Sequence, residues 1–322
     1  MSKMPKSVSI REVGPREGLQ FEKGPVTTEA KIRLVDALSE TGVQEIEFVS
    51  FVSPKWVPQM ADAEQVVAGI KKVPGVKYEG IWLNPQGLDR AAKLRDVLTL
   101  HPVFVVPASD TFGLKNANKG VTQYLEEMPT YVDRYRALGF DALDVAVSTA
   151  FGCNYEGEIT TEQVMRLLQE METRASDLGV GIRKIGLMDT MGWANPLQMK
   201  RALGAVRERW PDRRIWLHLH DTRGTGIANF VAALEMGVRE FDTAVGGMGG
   251  CPFAAHRGAA GNVCTEDAVF LCQEMGIETG IDLDRMIEAA RLAEEVIGHE
   301  LPGKVKRGGN LARYRAGSSV VG

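Results

Sequence analysis

The chain reads as an α/β protein of the (β/α)8 TIM-barrel type with one additional helix near the C-terminus. Three observations lead to that class. Short apolar runs alternate with helix-period stretches about eight times in succession. The 322 residues match the roughly 250 of such a barrel with additions. No Pro/Ser-rich linker or low-complexity stretch divides the chain, and the glycine-rich phosphate fingerprint of a doubly wound dinucleotide fold is missing after the first run. A single catalytic domain is therefore expected over residues 1–300. A tail, 301–322, is expected to be mobile or to pack on a neighbour.

Each unit is justified by the same contrast of periods. The run at 8–13 is short and apolar, and it precedes a stretch at 28–41 whose apolar residues recur every three to four positions, as on a helix with one buried face. The pairing repeats with 45–49 before 61–69 and with 76–83 before 85–98. It continues with 103–106 before 121–138, 142–147 before 161–178, and 182–187 before 196–210. The last pairs are 215–219 with 226–236 and 240–244 with 265–275, and 282–297 is the added helix. The seventh run is β-branched and aromatic and opens into Asp221, Thr222, Gly224 and Gly226, so it reads as a strand ending in a turn.

Chemistry in such a barrel sits at the C-terminal strand ends, and here those ends are polar. The seventh ends in His218 and His220, two of only 5 histidines. A spacing of two on a strand points both imidazoles to one side, as a metal clamp requires, although a packed core histidine is the alternative for either one alone. The first strand runs into GPREGLQ, which places Arg16 and Glu17 in the first loop. Glu47 on the second strand points into the barrel if Ile46 and Phe48 face the helices, and a buried carboxylate needs a partner. Asn84, Ser109, Asp110, Ser148, Asp189 and Thr190 follow strands three to six, and the eighth leads to the loop GGMGGCP with Cys251. Any one of these polar residues is commonly a turn former or helix cap. Their convergence on one rim argues for a site.

Composition excludes other classes. The formal net charge is −4, and Arg213, Arg214, Lys304, Lys306 and Arg307 are too dispersed to form the basic stripe that a nucleic-acid backbone demands. No apolar stretch nears the roughly 20 residues that span a bilayer, and MSKMPKSVSI lacks the apolar core of a signal peptide. A cytoplasmic protein without membrane partners is expected. Cys153, Cys251, Cys264 and Cys272 are too few and too irregular for a disulfide framework, which fits a reducing compartment. Cys264 and Cys272 lie in or beside a helical stretch and read as small buried hydrophobes.

The strings REVGPREGLQFEK, FVSFVSPKWVPQMAD, LMDTMGWANP, HLHDTRGTGIAN and GGMGGCPFA followed by GNVCTED run in that order through residues 8–297. Together they resemble the hydroxymethylglutaryl-CoA lyases, within the metal-dependent lyase and Claisen-condensing barrel superfamily. PKWVPQMAD and GGCP are specific to the lyase branch. The resemblance implies cleavage of a 3-hydroxy-3-methylglutaryl thioester to acetyl-CoA and acetoacetate, with magnesium or manganese as cofactor and CoA entering as part of the substrate. Carried over by position, it implies metal ligation by Glu17, His218, His220 and Asn262, enolate stabilisation by Arg16, and proton transfer by Cys251 on a glycine-rich lid. Asp189 becomes a candidate general acid or base and Glu47 an orienting residue. Asn84 and Ser109 are expected near the substrate, and Tyr155, beside Cys153 in the FGCNYEGE loop, falls on the rim. Lys23 falls on the CoA side, with an exposed loop lysine as the alternative. A homo-oligomer, a dimer, is expected.

Two departures bear on the substrate. The residue after Arg16 is usually aspartate in the family, whereas Glu17 extends the carboxylate's reach by one C–C bond, about 1.5 Å. The segment between Cys251 and Asn262 is longer by about two residues, near His256 and Arg257. These two are either a tolerated insertion or groups that recognise a carboxylate or the CoA phosphates. The expected function is a carbon–carbon lyase acting on hydroxymethylglutaryl-CoA, with citramalyl-CoA or a longer 3-substituted glutaryl-CoA as alternative substrates. A Claisen synthase joining acetyl-CoA to an oxo acid shares the two-histidine strand, but the GGCP lid and the absence of a long regulatory domain after residue 297 weigh against it. A non-catalytic CoA-binding barrel is the remaining class, with Glu17 its only hint.

Overall fold

The computed structural model describes residues 4–22, 24–250 and 261–315. Its main sheet contains β1 (Ser9–Glu12), β2 (Glu45–Ser50), β3 (Lys77–Ile81), β4 (Val103–Pro107), β5 (Ala142–Ser148), β6 (Gly181–Asp189), β7 (Arg214–Leu219) and β8 (Glu240–Thr243). All pairings are parallel, in the order β3-β2-β1-β8-β7-β6-β5-β4. Each strand except β4 pairs with its predecessor in the chain, and β1 pairs with β8, so the sheet curls into the (β/α)8 barrel that the alternation implied. At the ends of that order, β3 and β4, no ladder forms among the described residues. The backbone contact there is the Thr99 N–H donating to the Tyr78 carbonyl at 2.7 Å.

The strands fall within two residues of their expected bounds, but the helical layer departs from expectation. A helix, α1 (Gly14–Phe21), replaces the loop expected after β1. Pro15 sits in its first turn, where a missing N–H is harmless and a fixed φ is already helical, so Arg16 and Glu17 are helix residues. The stretch 121–138 is two helices, Val121–Glu126 and Met128–Ala137, because Pro129 has no N–H to continue the first and instead opens the second. A further helix, Asp110–Ala117, occupies what read as loop. The added helix is Leu283–Ile297, capped by the Asp282 side chain. Beyond it, the Lys304 and Val305 N–H groups donate to the Asp267 carboxylate, and buried Lys306 pairs with Glu294 and donates to the Leu301 carbonyl at 2.7 Å. The start of the tail thus lies against the chain's own helices. Among the described residues no helix is long and apolar enough to cross a membrane.

Strand faces turned outward bury aliphatic side chains such as Ile10, Ile46, Val106, Leu143, Ile185 and Leu217 against the helices. Inside the barrel a charged layer stands where branched apolar residues are usual. Arg11 on β1 makes two parallel bonds to Asp242 on β8, at 2.9 and 2.8 Å. It donates to Glu79 on β3 and to His101 Nδ1, each at 3.2 Å, and lies 3.6 Å from Glu47 on β2. His101 meets Asp144 on β5 at 2.6 Å, and Asp144 accepts from Arg183 on β6 at 3.1 Å. The network ties together strands that are far apart in sequence.

Two more carboxylates, Glu12 and Glu266, are buried away from that layer. Glu12 Oε1 accepts from the N–H groups of Gly14 at 2.7 Å and Val245 at 2.9 Å, and its Oε2 accepts from the Thr265 hydroxyl at 2.5 Å. Glu266 accepts from the Gly246 N–H at 2.9 Å. They pin the loop after β8 to the start of α1. Burial pushes Glu12 up to about 7 and Glu266 up to about 8, against backbone donors that pull the other way.

Two predictions follow from these buried charges. Arg11→Met leaves carboxylates facing one another without their cation, and it should lower the unfolding free energy by roughly 3–5 kcal/mol in a urea titration. An unchanged midpoint would mean that the layer adds nothing. For Glu266 the folded pKa is raised, so its contribution to stability is present below the unfolded value of 4.5 and is lost as pH rises toward about 8. Glu266→Gln should therefore gain stability over the parent near about pH 9 and lose that advantage near about pH 5. A difference independent of pH would refute the shift.

Candidate metal centre

β7 delivers the two histidines to the C-terminal rim. One residue separates them on extended chain, so both rings turn inward, and their Nε2 atoms lie 3.1 Å apart. Glu17 on α1 reaches across to them. Its Oε2 is 3.4 Å from His218 Nε2, and its Oε1 is 3.3 Å from His220 Nε2. Residues 261–263 run beside the strand end, where the Asp221 N–H donates to the Gly261 carbonyl at 2.8 Å and the Val263 N–H to the Leu219 carbonyl at 3.0 Å. This pairing sets Asn262 opposite His220. Asn262 Nδ2 donates to Glu17 Oε1 and to the Met248 carbonyl, both at 3.0 Å. Gly249 closes the group from behind with φ +85°. A Cβ there would stand 2.8 Å from Asn262 Nδ2 and 3.0 Å from Glu17 Cγ, so both the backbone angle and the space require glycine.

The donor set fits a cation. Glu17, His218 and His220 are buried and each offers a ligand atom within 4.8 Å of the others, while Asn262 Oδ1 is buried without a hydrogen-bond partner. Imidazole nitrogens mixed with carboxylate and amide oxygens suit a divalent ion that also takes substrate oxygens. Charge points the same way. Burial would lower His218, but Glu17 and Asp242 outweigh it and raise its pKa to about 10. Burial would likewise raise Glu17, but His218, His220 and Arg16 hold it well below the carboxylate range. A proton on His218 thus neutralises the cluster when no cation does. His218 Nδ1 lies 3.3 Å from Asp242 Oδ2, and donation of an Nδ1 hydrogen to that carboxylate leaves Nε2 as the ligand atom.

Arg16 stands beside the cluster. Its Nε donates to Glu47 Oε1 at 2.5 Å, and its Nη2 lies 3.3 Å from Glu17 Oε2. Glu47, which needed a buried partner, meets both Arg16 and Arg11. The group opens into a cavity of about 270 Å³, with Arg16, Glu17, His220 and Gly250 at the rim and Arg11 and Trp216 at the barrel axis.

Asn84, Ser109, Tyr155 and Asp189 do not line this cavity. Asn84 Oδ1 accepts from the Gly87 N–H at 2.8 Å and Ser109 Oγ from the Phe112 N–H at 3.1 Å; both are helix caps and neither lines the cavity. Tyr155 is 39% exposed, with Lys115 Nζ 5.0 Å from its ring, also off the cavity wall. The Asp189 carboxylate accepts from the N–H groups of Trp193 at 2.7 Å and Ala194 at 3.1 Å, shaping the turn after β6, and burial raises it to about 6. Its neighbours Met188 and Thr190, not Asp189, line the cavity, as does Ser148. Cys153 packs with Phe112 and Met191, and Cys264 and Cys272 are buried, with burial pushing the Cys272 thiol up to about 12. Lys23, Cys251, His256 and Arg257 lie outside the described residues. Sequence reasoning missed Arg11 and Trp216. The signals were an arginine in the middle of a short apolar strand, and a tryptophan two residues before His218, on the same side of the chain.

A parallel eight-stranded barrel whose C-terminal rim gathers a carboxylate and two imidazoles defines a class of cation-binding barrel proteins with the site among the βα connections. The HMGL-like family model matches residues 7–293, and the chain belongs to that family. It is 41% identical over 300 residues to hydroxymethylglutaryl-CoA lyase YngG of Bacillus subtilis, covering 93% of this chain and 96% of that protein. To the mitochondrial hydroxymethylglutaryl-CoA lyase of Homo sapiens it is 38% identical over 307 residues, covering 95% and 90%. The fold matches that of an HMG-CoA lyase from Acinetobacter baumannii, solved in complex with coenzyme A and 3-methylmalate, with a TM-score of 0.84 at 38% identity and coverage of 96% and 97%.

Because His218 must shed its proton to ligate, binding of Mn2+ near neutral pH should release about one proton, measurable by calorimetry in buffers of different ionisation enthalpy. Asp242→Asn should weaken that binding about 10–100-fold, and His220→Ala should abolish it. Mn2+ binding by His220→Ala at parental affinity would remove the histidine pair from the site.

Proposed function

We infer that this chain is a carbon–carbon lyase that cleaves 3-hydroxy-3-methylglutaryl-CoA to acetyl-CoA and a 3-oxo acid, with magnesium or manganese as its cation. The observation that carries this reading is the convergence of Glu17, His218, His220 and Asn262 beside Arg16, in a chain whose relatives at 38–41% identity are named for that activity. The ligand pair of the Acinetobacter baumannii relative, coenzyme A with a methylated hydroxy diacid, supports a hydroxylated, carboxylated acyl group beside the thioester.

A divalent ion, when bound, supplies Lewis acidity and a template for the substrate's oxygens. In the reaction the C3 hydroxyl gives up its proton to solvent water, the C2–C3 bond breaks, and its electron pair passes into the thioester as an enolate while C3 becomes the carbonyl of the oxo acid. Arg16 stabilises the developing enolate oxygen. Its guanidinium is held in place by Glu47, so little reorganisation accompanies the charge shift. Cys251 is the proposed proton donor to the enolate carbon, since a positioned thiol can act as a general acid. Asp189 keeps the turn after β6 in place behind Thr190. Lys23, with His256 or Arg257, is proposed for the anionic ends of the thioester.

The test is release of acetyl-CoA from 3-hydroxy-3-methylglutaryl-CoA, lost on chelation and restored by Mn2+ or Mg2+. Arg16→Gln should lower kcat by about 100-fold or more while KM changes little. An unchanged kcat would take Arg16 out of the mechanism.

A further inference from the structure

The cavity that begins at the histidine cluster does not end at the barrel axis. On β4, Val103 and Val105 point into the barrel and Phe104 points to the helices, yet all three line it. On β3, Glu79 and Ile81 point inward and Gly80 outward, and these line it as well. A space that touches both faces of two neighbouring strands passes between them. It does so where the strand order begins and ends and no ladder closes the sheet. Past the seam its walls are Trp82, Phe104 and Tyr131, at 8%, 3% and 7% exposure. Their neighbours hold these rings in position. Phe104 packs edge-on against Tyr131 with centroids 5.6 Å apart, and Trp82 Nε1 donates to the Tyr135 hydroxyl at 3.0 Å. The crevice is therefore largely aromatic and preformed, and it is continuous with the metal-ligand cluster.

We propose that this crevice seats an apolar substituent on C3 of the substrate, longer than a methyl group, so that the preferred substrates are 3-hydroxy-3-alkylglutaryl thioesters. The proposal rests on the lyase reading above and extends it to the acyl chain. The thioester, hydroxyl and carboxylate of such a substrate are polar and belong with Arg16 and the ligand cluster. The remaining substituent of C3 is the one part that gains from aromatic walls. A methyl group would leave most of that wall without contact, and dispersion falls steeply across a gap. The pantetheine arm of CoA is the other apolar claimant. It enters over the C-terminal ends of the strands, whereas the seam lies at the level of Glu79 and Phe104, within the strands. Cleavage keeps its balance: C2–C3 breaks, the hydroxyl proton passes to solvent water, one proton is delivered to the enolate carbon, and the products are acetyl-CoA and a 3-oxo acid that retains the alkyl chain. No oxidant or reductant is involved.

The experiment measures kcat/KM for 3-hydroxyglutaryl-CoA thioesters bearing methyl, ethyl, butyl and hexyl groups at C3, with the metal-loaded protein. Each added methylene should raise kcat/KM roughly four-fold until the crevice is full. Val105→Phe, which narrows the seam, should cut the butyl-to-methyl ratio of kcat/KM by about ten-fold or more, and Tyr131→Leu should move the preference toward hexyl. Mn2+ binding reports whether each variant keeps its fold, and competitive inhibition by free CoA reports on the pantetheine site. A parent that cleaves the methyl compound well and loses activity steadily with chain length overturns the proposal and leaves the lyase reading standing. Equal losses for every thioester in Val105→Phe, with weaker inhibition by free CoA, assign the crevice to pantetheine and also overturn it. Failure to cleave any of the four defeats the lyase reading itself.

Discussion

Arg11 places a guanidinium on the barrel axis and binds Asp242 with two parallel hydrogen bonds, and the geometry of the rim is transmitted from that contact. A charge in a low-dielectric interior is tolerated only when its donors meet acceptors. Here Asp242, Glu79 and Glu47 surround the cation. Asp242, held well below the carboxylate range by Arg11 and His218 against its burial, faces His218 Nδ1. Glu47 extends to Arg16. One buried cation therefore lies behind both the metal ligand and the arginine assigned to the enolate, and neither side chain is free to drift when the charge on its partner changes.

The other side of the cluster is organised through backbone. Glu12 and Glu266 accept N–H groups just after β8, and residues 261–263 pair with the end of β7. Residues 246, 247, 249 and 250 have left-handed φ that glycine alone adopts freely. Asn262 meets His220 through that pairing with β7. The loop is held from beneath by carboxyls that burial keeps partly protonated near neutral pH, which links its anchoring to proton concentration as well as to packing.

The missing ladder between β3 and β4 gives the barrel interior its reach. In barrels of this type layers of inward side chains usually fill the centre. A charged layer and an open seam leave a cavity that runs from the rim, past the axis, to the aromatic layer under the helices. The barrel supplies rigidity at the cluster and apolar room beyond it, which is the division of labour expected of a site that fixes a reacting centre and sorts its substituents.

Period-two and helical-period patterns are local, so the strands, their order along the chain and the shared direction of His218 and His220 were legible from sequence. So was the inward turn of Glu47 and its need for a partner, because burial of a carboxylate has a known cost whatever surrounds it. The surroundings were not legible. That Arg16 and Glu17 stand on a helix, that Asn84 and Ser109 spend their side chains on caps, and that Arg11 is the partner of Asp242 across 231 positions were settled by register between distant strands and by the course of loops. Asn262 is the clearest case: it lies 42 positions beyond His220, and only closure of the chain after β8 sets the two side by side. Local sequence determines which way a side chain points along its own strand, whereas tertiary packing decides what it points at, because the free energy of a buried charge depends on groups that the chain brings together only after the barrel has closed.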